Sequence, residues 1–327
     1  MYGPALVPNR ERIMTTILSN DHPAAPAVSV IIPTYRHQAH ILDTLESVHA
    51  QTFSDYEVIV VNDGSPDDTH EVLRPLVEVG KIRYMEQENA GQAAARNRGI
   101  AEARGEFIAL LDDDDLWPAD KLEWQVPALQ QHPEAVLVYG YFDTFGRASS
   151  ERHPETAAIA VQGDVLRSFR RGNYIGSPGQ CLIRASALRA IRGFDAELWG
   201  VDDWDLYIRL ANCGPFLYHH RCALQYRVHE QNASRNVQRM YRNALRLQQK
   251  HFGAVPPPGS WSDWWANDRW IRRHFGSHCR QNAAFLMNAG KNREACKELM
   301  QILRIDPLYF RHIGFLRWVL RTALSRS

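Results

Sequence analysis

Apolar residues in the first third of this 327-residue chain come in short, mostly β-branched runs: VSVII at 28–32, YEVIVV at 56–61, IRYME at 82–86 and FIALL at 107–111. Runs of this length and kind fit strands buried on both faces of a parallel sheet. Between them the period changes. In HILDTLESVHAQ (40–51), Ile41, Leu45 and Val48 fall on one helical face. EVLRPLVEV (71–79) and AGQAAARNRGIAEA (90–103) also predict helices, the second Ala-rich with Gly91 at its start. This alternation predicts an α/β sheet, mostly parallel, with ligands at the carboxyl ends of the strands.

Three polar clusters follow such strands directly, PTYRH (33–37), NDGSPDD (62–68) and DDDD (112–115), so all three should line one sheet edge. NDGSPDDT is turn chemistry, and Asp67 or Asp68 can cap the helix behind it. No G-x-G-x-x-G follows the first strand and no G-x-x-x-x-G-K-[ST] occurs, which removes two common nucleotide-binding classes. Beyond Asp120 the pattern loosens. AVLVYGYFDTFG (135–146) and FLYHHRCALQYRVH (216–229) read as strands, and QCLIRASAL (180–188) as a short strand leading into a helix. DDWDLYIRLANCG (202–214) is an amphipathic helix offering Leu206, Ile208 and Leu210 to the core. From about Ala233 only helices are expected, broken by GAVPPPGS (253–260). The stretch 282–309 folds back around Gly-Lys-Asn like a single tetratricopeptide-type unit.

Composition contributes exclusions. A net charge of +1 gives no reason to expect nucleic acid as a partner. The five cysteines are scattered and never in C-x-x-C spacing, which argues against disulfides or a zinc knuckle and for a reducing compartment. Residues 1–20, interrupted by Pro4 and Pro8, hold no secretory apolar run, and no stretch approaches the ~20 apolar residues of a membrane span. A cytoplasmic protein is the expectation, and nothing in the pattern specifies an oligomeric state.

Four aspartates at the lip of a core call for a cation. Two unit charges ~4 Å apart repel by about 1 kcal/mol in water and about 4 kcal/mol at the effective dielectric near a protein surface. A hard divalent ion with oxygen ligands offsets that cost. If extended geometry persists past Leu111, Asp112 and Asp114 share one face and Asp113 and Asp115 the other. The plainer alternative is a solvated loop of capping aspartates, with Asp115 capping the helix after Pro118. A second cluster holds Asp202, Asp203 and Asp205. Asp205 is expected to cap its helix or face solvent, while Asp202 or Asp203, after Gly200, is placed to act as a general base. Capping and helix-dipole effects alone also favour acids there. Trp117, Trp199 and Trp204 flank these motifs; a sugar ring could stack on one, with core packing expected for at least two.

The segments 28–69, 88–125, 193–211 and 226–236, in that order, resemble the motif series of family 2 glycosyltransferases over nearly two-thirds of the chain. The resemblance implies a GT-A fold, a Rossmann-like, mostly parallel sheet flanked by helices. Its nucleotide-sugar part would span 28–120 and its acceptor side 121–235, after a tail at 1–27 and before a helical extension at 236–327. By the resemblance, Pro33, Thr34 and Tyr35 hold the nucleotide base with Arg36 close by, and Asp63 hydrogen-bonds the base, usually uracil. Asn89, Gly91, Arg96 and Asn97 line the donor pocket. Asp112 and Asp114 match the Asp-x-Asp pair, Asp114 for direct metal contact and Asp112 or Asp113 for the ribose side. Asp113 stands where serine is usual. Asp203 matches the catalytic base, with Asp202 in place of the usual glutamate, and His229 matches a histidine that in some relatives approaches the metal or diphosphate. The implied reaction is inverting transfer from a nucleoside diphosphate sugar to a glycan or lipid-linked saccharide acceptor, assisted by Mn2+ or Mg2+.

Other classes stay open at this level. Haloacid-dehalogenase-like phosphatases also place Asp-x-Asp after an apolar strand, but Leu116 stands where Thr or Val is usual. A nucleotidyltransferase lacks its Gly/Lys-rich signature here, and a sugar-nucleotide binding module with a dead site leaves the metal pair and base unexplained. Acceptor specificity is expected around RRGNYIGSPGQ (170–180). FLRWVLRTALSRS (315–327) suits peripheral contact with an anionic membrane, packing on the catalytic domain, or dimerisation.

Overall fold

A computed structural model describes residues 25–146, 160–229, 232, 236–288 and 290–305. The four apolar runs form β1 (Val28–Thr34), β2 (Tyr56–Asn62), β3 (Arg83–Glu86) and β4 (Phe107–Leu110), and β5 (Leu137–Phe145), β6 (Cys181–Arg184) and β7 (Phe216–Arg227) follow. Among the described residues they make one seven-stranded sheet in the order β3-β2-β1-β4-β6-β5-β7. It is parallel except for β6, which runs antiparallel to both β4 and β5. The chain moves outward from β1 to β3, then returns to lay β4 on the other side of β1. That reversal opens a crevice at the carboxyl ends of β1 and β4, where ligands of doubly wound sheets bind. The three polar clusters lie there, as the sequence implied.

The strands are apolar throughout because each face meets helices. Ile31, Ile59, Val61, Ile108 and Leu110 are buried on one face, and Val30, Ile32, Val58, Val60, Phe107 and Ala109 on the other. The first face carries α3 (Gln92–Glu102), α6 (Ala185–Ala190) and α7 (Asp202–Leu210), and the second carries α1 (Ile41–His49), α2 (Thr69–Glu78) and α4 (Lys121–Gln131). Ile41, Leu45 and Val48 of α1 are at most 1% exposed, as the helical period required. Truncating Leu45 to alanine would cost about 2–5 kcal/mol. Leu206, Ile208 and Leu210 of α7 are equally buried. Asp67, the residue before the α2 N-cap, accepts hydrogen bonds from Thr69 through one carboxylate oxygen.

α4 escapes the sequence pattern for a physical reason. Lys121 and Gln125 are as buried as Leu122 and Leu129, so no polar stripe marks a solvent face. Lys121 Nζ donates to Gln125 Oε1 (2.5 Å) and to the Cys181 carbonyl (3.2 Å) and lies 4.3 Å from the Trp117 ring centroid. Burial lowers its pKa to about 7. α5 (Leu166–Arg171) is too short to show a period. The C-terminal part is helical as expected: α8 (Val237–Phe252), then α9 (Trp261–Asn288) and α10 (Asn292–Ile305), which pack as a hairpin. No described helix is long and apolar enough to cross a membrane, and all five cysteines are free. Residues 315–327 lie outside the described residues.

Candidate active site

β4 stops at Leu110, and the extended geometry that would alternate the aspartates does not persist. The Asp115 N–H donates to the Asp112 carbonyl at 3.2 Å, closing a turn over Asp113 and Asp114. The turn sends four carboxylates to four different partners. Asp112 accepts from Arg96 Nη2 (2.5 Å) and Gln92 Nε2 (2.9 Å). Asp113, 5% exposed, accepts from the Tyr35 N–H (3.2 Å) and lies 2.7 Å from His37 Nδ1. Asp114 lies 2.8 Å from His229 Nε2. Asp115 is fully buried and accepts from the Arg227 N–H (2.8 Å); it does not cap α4, whose N-cap is Asp120.

Potential ligand atoms of His37, Asp114 and His229 lie within 4.8 Å of one another. The shared face expected for Asp112 and Asp114 is therefore replaced by Asp112 on Arg96 and Asp114 beside imidazoles. His37 sits in PTYRH, yet the strand pattern gave no reason to single it out; its partnership with Asp113 appears only once the turn is formed. Burial raises Asp113 and lifts Asp115 well above the usual carboxylate range, while the hydrogen bond to Asp113 pushes His37 up to about 9.

On the nucleotide side, Pro33 and Thr34 end β1 as buried residues and the chain then emerges. Tyr35 is 36% exposed, and the Arg36 guanidinium stands 5.0 Å from its ring centroid. Arg36 has φ 63°, a left-handed conformation costly for a side-chain-bearing residue, held by its N–H to Ser65 Oγ at 3.1 Å. Asp63 is only 3% exposed, and its carboxylate accepts from Gln87 Nε2 (2.7 Å), Ala90 N–H (2.9 Å) and Gly91 N–H (2.8 Å). Asn89 Nδ2 donates to the Asp63 carbonyl at 3.0 Å. These bonds clamp the loop entering α3, whose N-cap Gly91 has φ 92°, a conformation that favours glycine. The Asn97 amide exchanges two bonds with the Phe194 backbone (2.9 and 2.8 Å), tying α3 to the loop that leads to α7. Tyr35 and Arg36 thus face outward, whereas Asp63, Asn89 and Asn97 bond within the protein.

α7 begins at Asp202, after Gly200 at φ 79°. A Cβ on Gly200 would meet Met240 Cγ of α8 at 2.7 Å, so glycine is required there both for backbone conformation and for room. Asp202, 6% exposed, accepts from the Gly200 N–H (3.0 Å) and pairs with Arg96 Nη1 (3.4 Å). Arg96, itself 3% exposed, therefore joins the strand-end turn to α7. Burial works against its charge, but Asp112 and Asp202 hold its pKa above the ordinary range. Burial raises Asp202 against the pull of Arg96. Asp203 is half-buried, and burial, followed by the charge of Asp202, pushes it up to about 7.

Asp205 corrects the sequence reading. It neither caps nor faces solvent but is fully buried, 2.7 Å from Arg209 Nε, 2.8 Å from Lys250 Nζ and 2.8 Å from His251 Nε2. Against the cost of burial these partners pull it down to about 2. Trp117 and Trp204 are core residues, their indole N–H groups donating to the Gly179 and Phe169 carbonyls, while Trp199 is partly exposed beneath Arg239. The raised carboxyl of Asp203, the imidazole–carboxylate cluster of the strand-end turn and the outward-facing Tyr35–Arg36 pair are thus the unusual groups around these strand ends.

Comparison with known proteins identifies the family. The family described as glycosyl transferase family 2 matches residues 29–192. The chain is 29% identical over 217 residues to an uncharacterized glycosyltransferase of Rickettsia felis, an alignment covering 65% of this chain and 36% of that relative. The chain therefore spans about a third of that relative's length. S. aureus TarS residues 1–349, solved in complex with UDP-GlcNAc, shares the fold at a TM-score of 0.60 with 15% identity, over 87% of this chain and 91% of that one. The mannosyltransferase PcManGT of Pyrobaculum calidifontis, solved with GDP-Man and Mn2+, does so at 0.57 with 19% identity, over 92% and 85%.

Proposed function

Because the chain belongs to glycosyl transferase family 2, we propose that it is a glycosyltransferase that moves a sugar from a nucleoside diphosphate sugar, UDP-linked, to a hydroxyl of a glycan or lipid-linked saccharide. The product would be a surface polysaccharide or glycoconjugate. Tyr35 and Arg36 receive the base, with Pro33 and Thr34 beneath them, and Asp63, Asn89 and Gly91 fix the loop opposite. Asp112 or Asp113 serves the ribose side, and Asp112 is the more exposed of the two. Asp114 and His229 are the residues to hold a divalent cation, Mn2+ or Mg2+, and imidazole and carboxylate donors fit such an ion. Bound there, the ion supplies Lewis-acid neutralisation of the departing diphosphate. Asp203 accepts the proton of the acceptor hydroxyl as its oxygen bonds to the anomeric carbon. The bond from that carbon to the diphosphate breaks in the same displacement, and the configuration inverts. The Trp204 N–H, donating to Asp203 Oδ1 at 2.7 Å, holds Asp203.

The observation that carries this reading is Arg96, whose guanidinium pairs with Asp112 of the strand-end turn through one nitrogen and through another with Asp202, the residue before the candidate base. Support also comes from two structural neighbours that bind nucleotide-sugars. The test is transfer and hydrolysis with a panel of labelled nucleotide-sugars, with and without Mn2+. Asp203→Asn is expected to lose transfer by about 10³-fold, the scale of general-base catalysis, with donor binding intact. Asp114→Ala is expected to lose metal-dependent donor binding. Near-normal turnover of Asp203→Asn rejects the base, and donor binding without turnover of any donor favours a binding module. Peripheral membrane contact through 315–327 is tested by liposome co-sedimentation with and without that segment.

A further inference from the structure

We propose that His37 is a third protein ligand of the cation, oriented by Asp113, so that this chain loads a transition-metal ion before any nucleotide arrives. The proposal rests on the glycosyltransferase reading above and deepens its metal site.

Three observations point to it. His37, Asp114 and His229 come from the loop after β1, the turn after β4 and the chain beyond β7, yet their candidate ligand atoms converge within 4.8 Å. The two imidazoles stand nearly perpendicular, at 87° with centroids 5.8 Å apart, an arrangement that suits ligands approaching one ion from different directions. His37 Nδ1 is also engaged by Asp113 at 2.7 Å, which leaves Nε2 as the nitrogen available to an ion. Asp113 is fixed in turn by the Tyr35 N–H and by burial. A carboxylate holding one ring nitrogen while the other binds metal is the usual support for a histidine ligand, setting its tautomer and orientation.

This gives Asp113 a function where serine is usual: a serine hydroxyl is neutral and cannot supply the charge that strengthens an imidazole ligand. Asp113 is therefore a positioning residue acting through His37. Two consequences follow from donor chemistry. A site of two imidazoles and one carboxylate prefers Mn2+, Co2+ or Zn2+ to Mg2+, which favours oxygen ligands and is usually completed by substrate phosphates. Three protein ligands can also hold the ion without a nucleotide. Because Tyr35 and Arg36 lie directly before His37, loading the ion would fix the loop proposed to receive the base, making binding ordered, ion first.

The experiment titrates the full chain, stripped with chelator and free of nucleotide, with Mn2+ followed by paramagnetic resonance and with Co2+ followed by visible absorption. One ion per chain is expected, and a hundredfold excess of Mg2+ should not displace it. His37→Ala should weaken Mn2+ binding at least tenfold, and Asp113→Asn or Asp113→Ser by about 10–100-fold, with an altered Co2+ spectrum that a merely structural role would not produce. No ion bound without nucleotide, or unchanged Mn2+ affinity in His37→Ala, overturns the proposal. His37 is only half-buried, so its variant keeps the test decisive if the Asp113 variants misfold. UDP binding in the presence of Mn2+, measured on the same samples, separates the two claims. UDP and Mn2+ binding only together leaves the transferase reading standing and rejects preloading, whereas failure of UDP to bind with any metal counts against the transferase reading itself.

Discussion

Asp115 and Asp205 are both fully buried, each in one of the two acidic clusters, and the protein treats them in opposite ways. Asp115 has one backbone donor, a second oxygen with no hydrogen-bond partner, and three aspartates beside it. Burial and those neighbours lift its pKa well above the usual carboxylate range. Asp205 has Arg209, Lys250 and His251, and despite burial it is pulled down to about 2 and stays charged. Depth alone does not set the charge of a carboxylate; the supply of cations does. The α7 cluster brings its own cations from α8 and is electrostatically complete except at Asp203. At the strand-end turn Arg96 serves Asp112 and His37 serves Asp113, while the buried Asp115 carboxylate is left with the Arg227 N–H alone.

The change that most severely breaks this division is Arg96→Met, which removes the cation shared by both clusters. Breaking a buried pair leaves uncompensated charge and costs about 3–5 kcal/mol. Two carboxylates lose their partner here, so urea unfolding should show a loss at the upper end of that range, with transfer too weak to detect. Retained transfer would mean that the clusters work independently. The next test sets the two buried acids against each other. Asp205→Asn should cost about 3 kcal/mol because Arg209 and Lys250 lose their buried counter-charge and His251 its hydrogen-bond partner. Since Asp205 has a depressed pKa, its contribution is complete above its ordinary value of 3.8 and fades as pH falls through about 2. The gap between wild type and variant should therefore close in acid. Asp115→Asn, in cation-free protein, removes a carboxyl group that has one backbone donor and no cationic partner, and should change stability by no more than about 1 kcal/mol. Equal costs for the two variants would sink the contrast.

How much of this was legible in sequence follows the same physics. β1, β2, β4, α1, α3 and α7 announce themselves because burial on a regular element leaves a period of apolar residues. α4 does not, since Lys121 and Gln125 are buried with its leucines. The 112–115 run carries no period at all, and assigning its faces by alternation assumed an extended backbone that the Asp112–Asp115 hydrogen bond interrupts. The expectation that Asp205 caps its helix or faces solvent fails because two of its partners, Lys250 and His251, lie on a helix far downstream. Arg96 was recognised as part of the donor-side motif, but its hold on Asp202 is a tertiary fact. Residue types survive translation from sequence to site; pairings between distant segments do not.

Asp203 offers the most direct reading of the contrast, because it is half-buried beside Asp202 without a cation of its own. Its pKa is raised from 3.8 to about 7. A base must be ionised to take a proton, so transfer should rise with pH through about 7 and level off above it. Stability moves the other way. Between 3.8 and about 7 the folded protein holds a proton that the unfolded chain has released, so rising pH weakens the fold across that window. Asp203→Asn removes this penalty. After discounting for its partial exposure to solvent, the variant should be more stable than wild type by about 1–2 kcal/mol at pH 8, with no difference near pH 4. Thermal melts at the two pH values measure it. An equal gain at both would show that something other than a strained charge is relieved, and Asp203 would then have no electrostatic claim to the role of base.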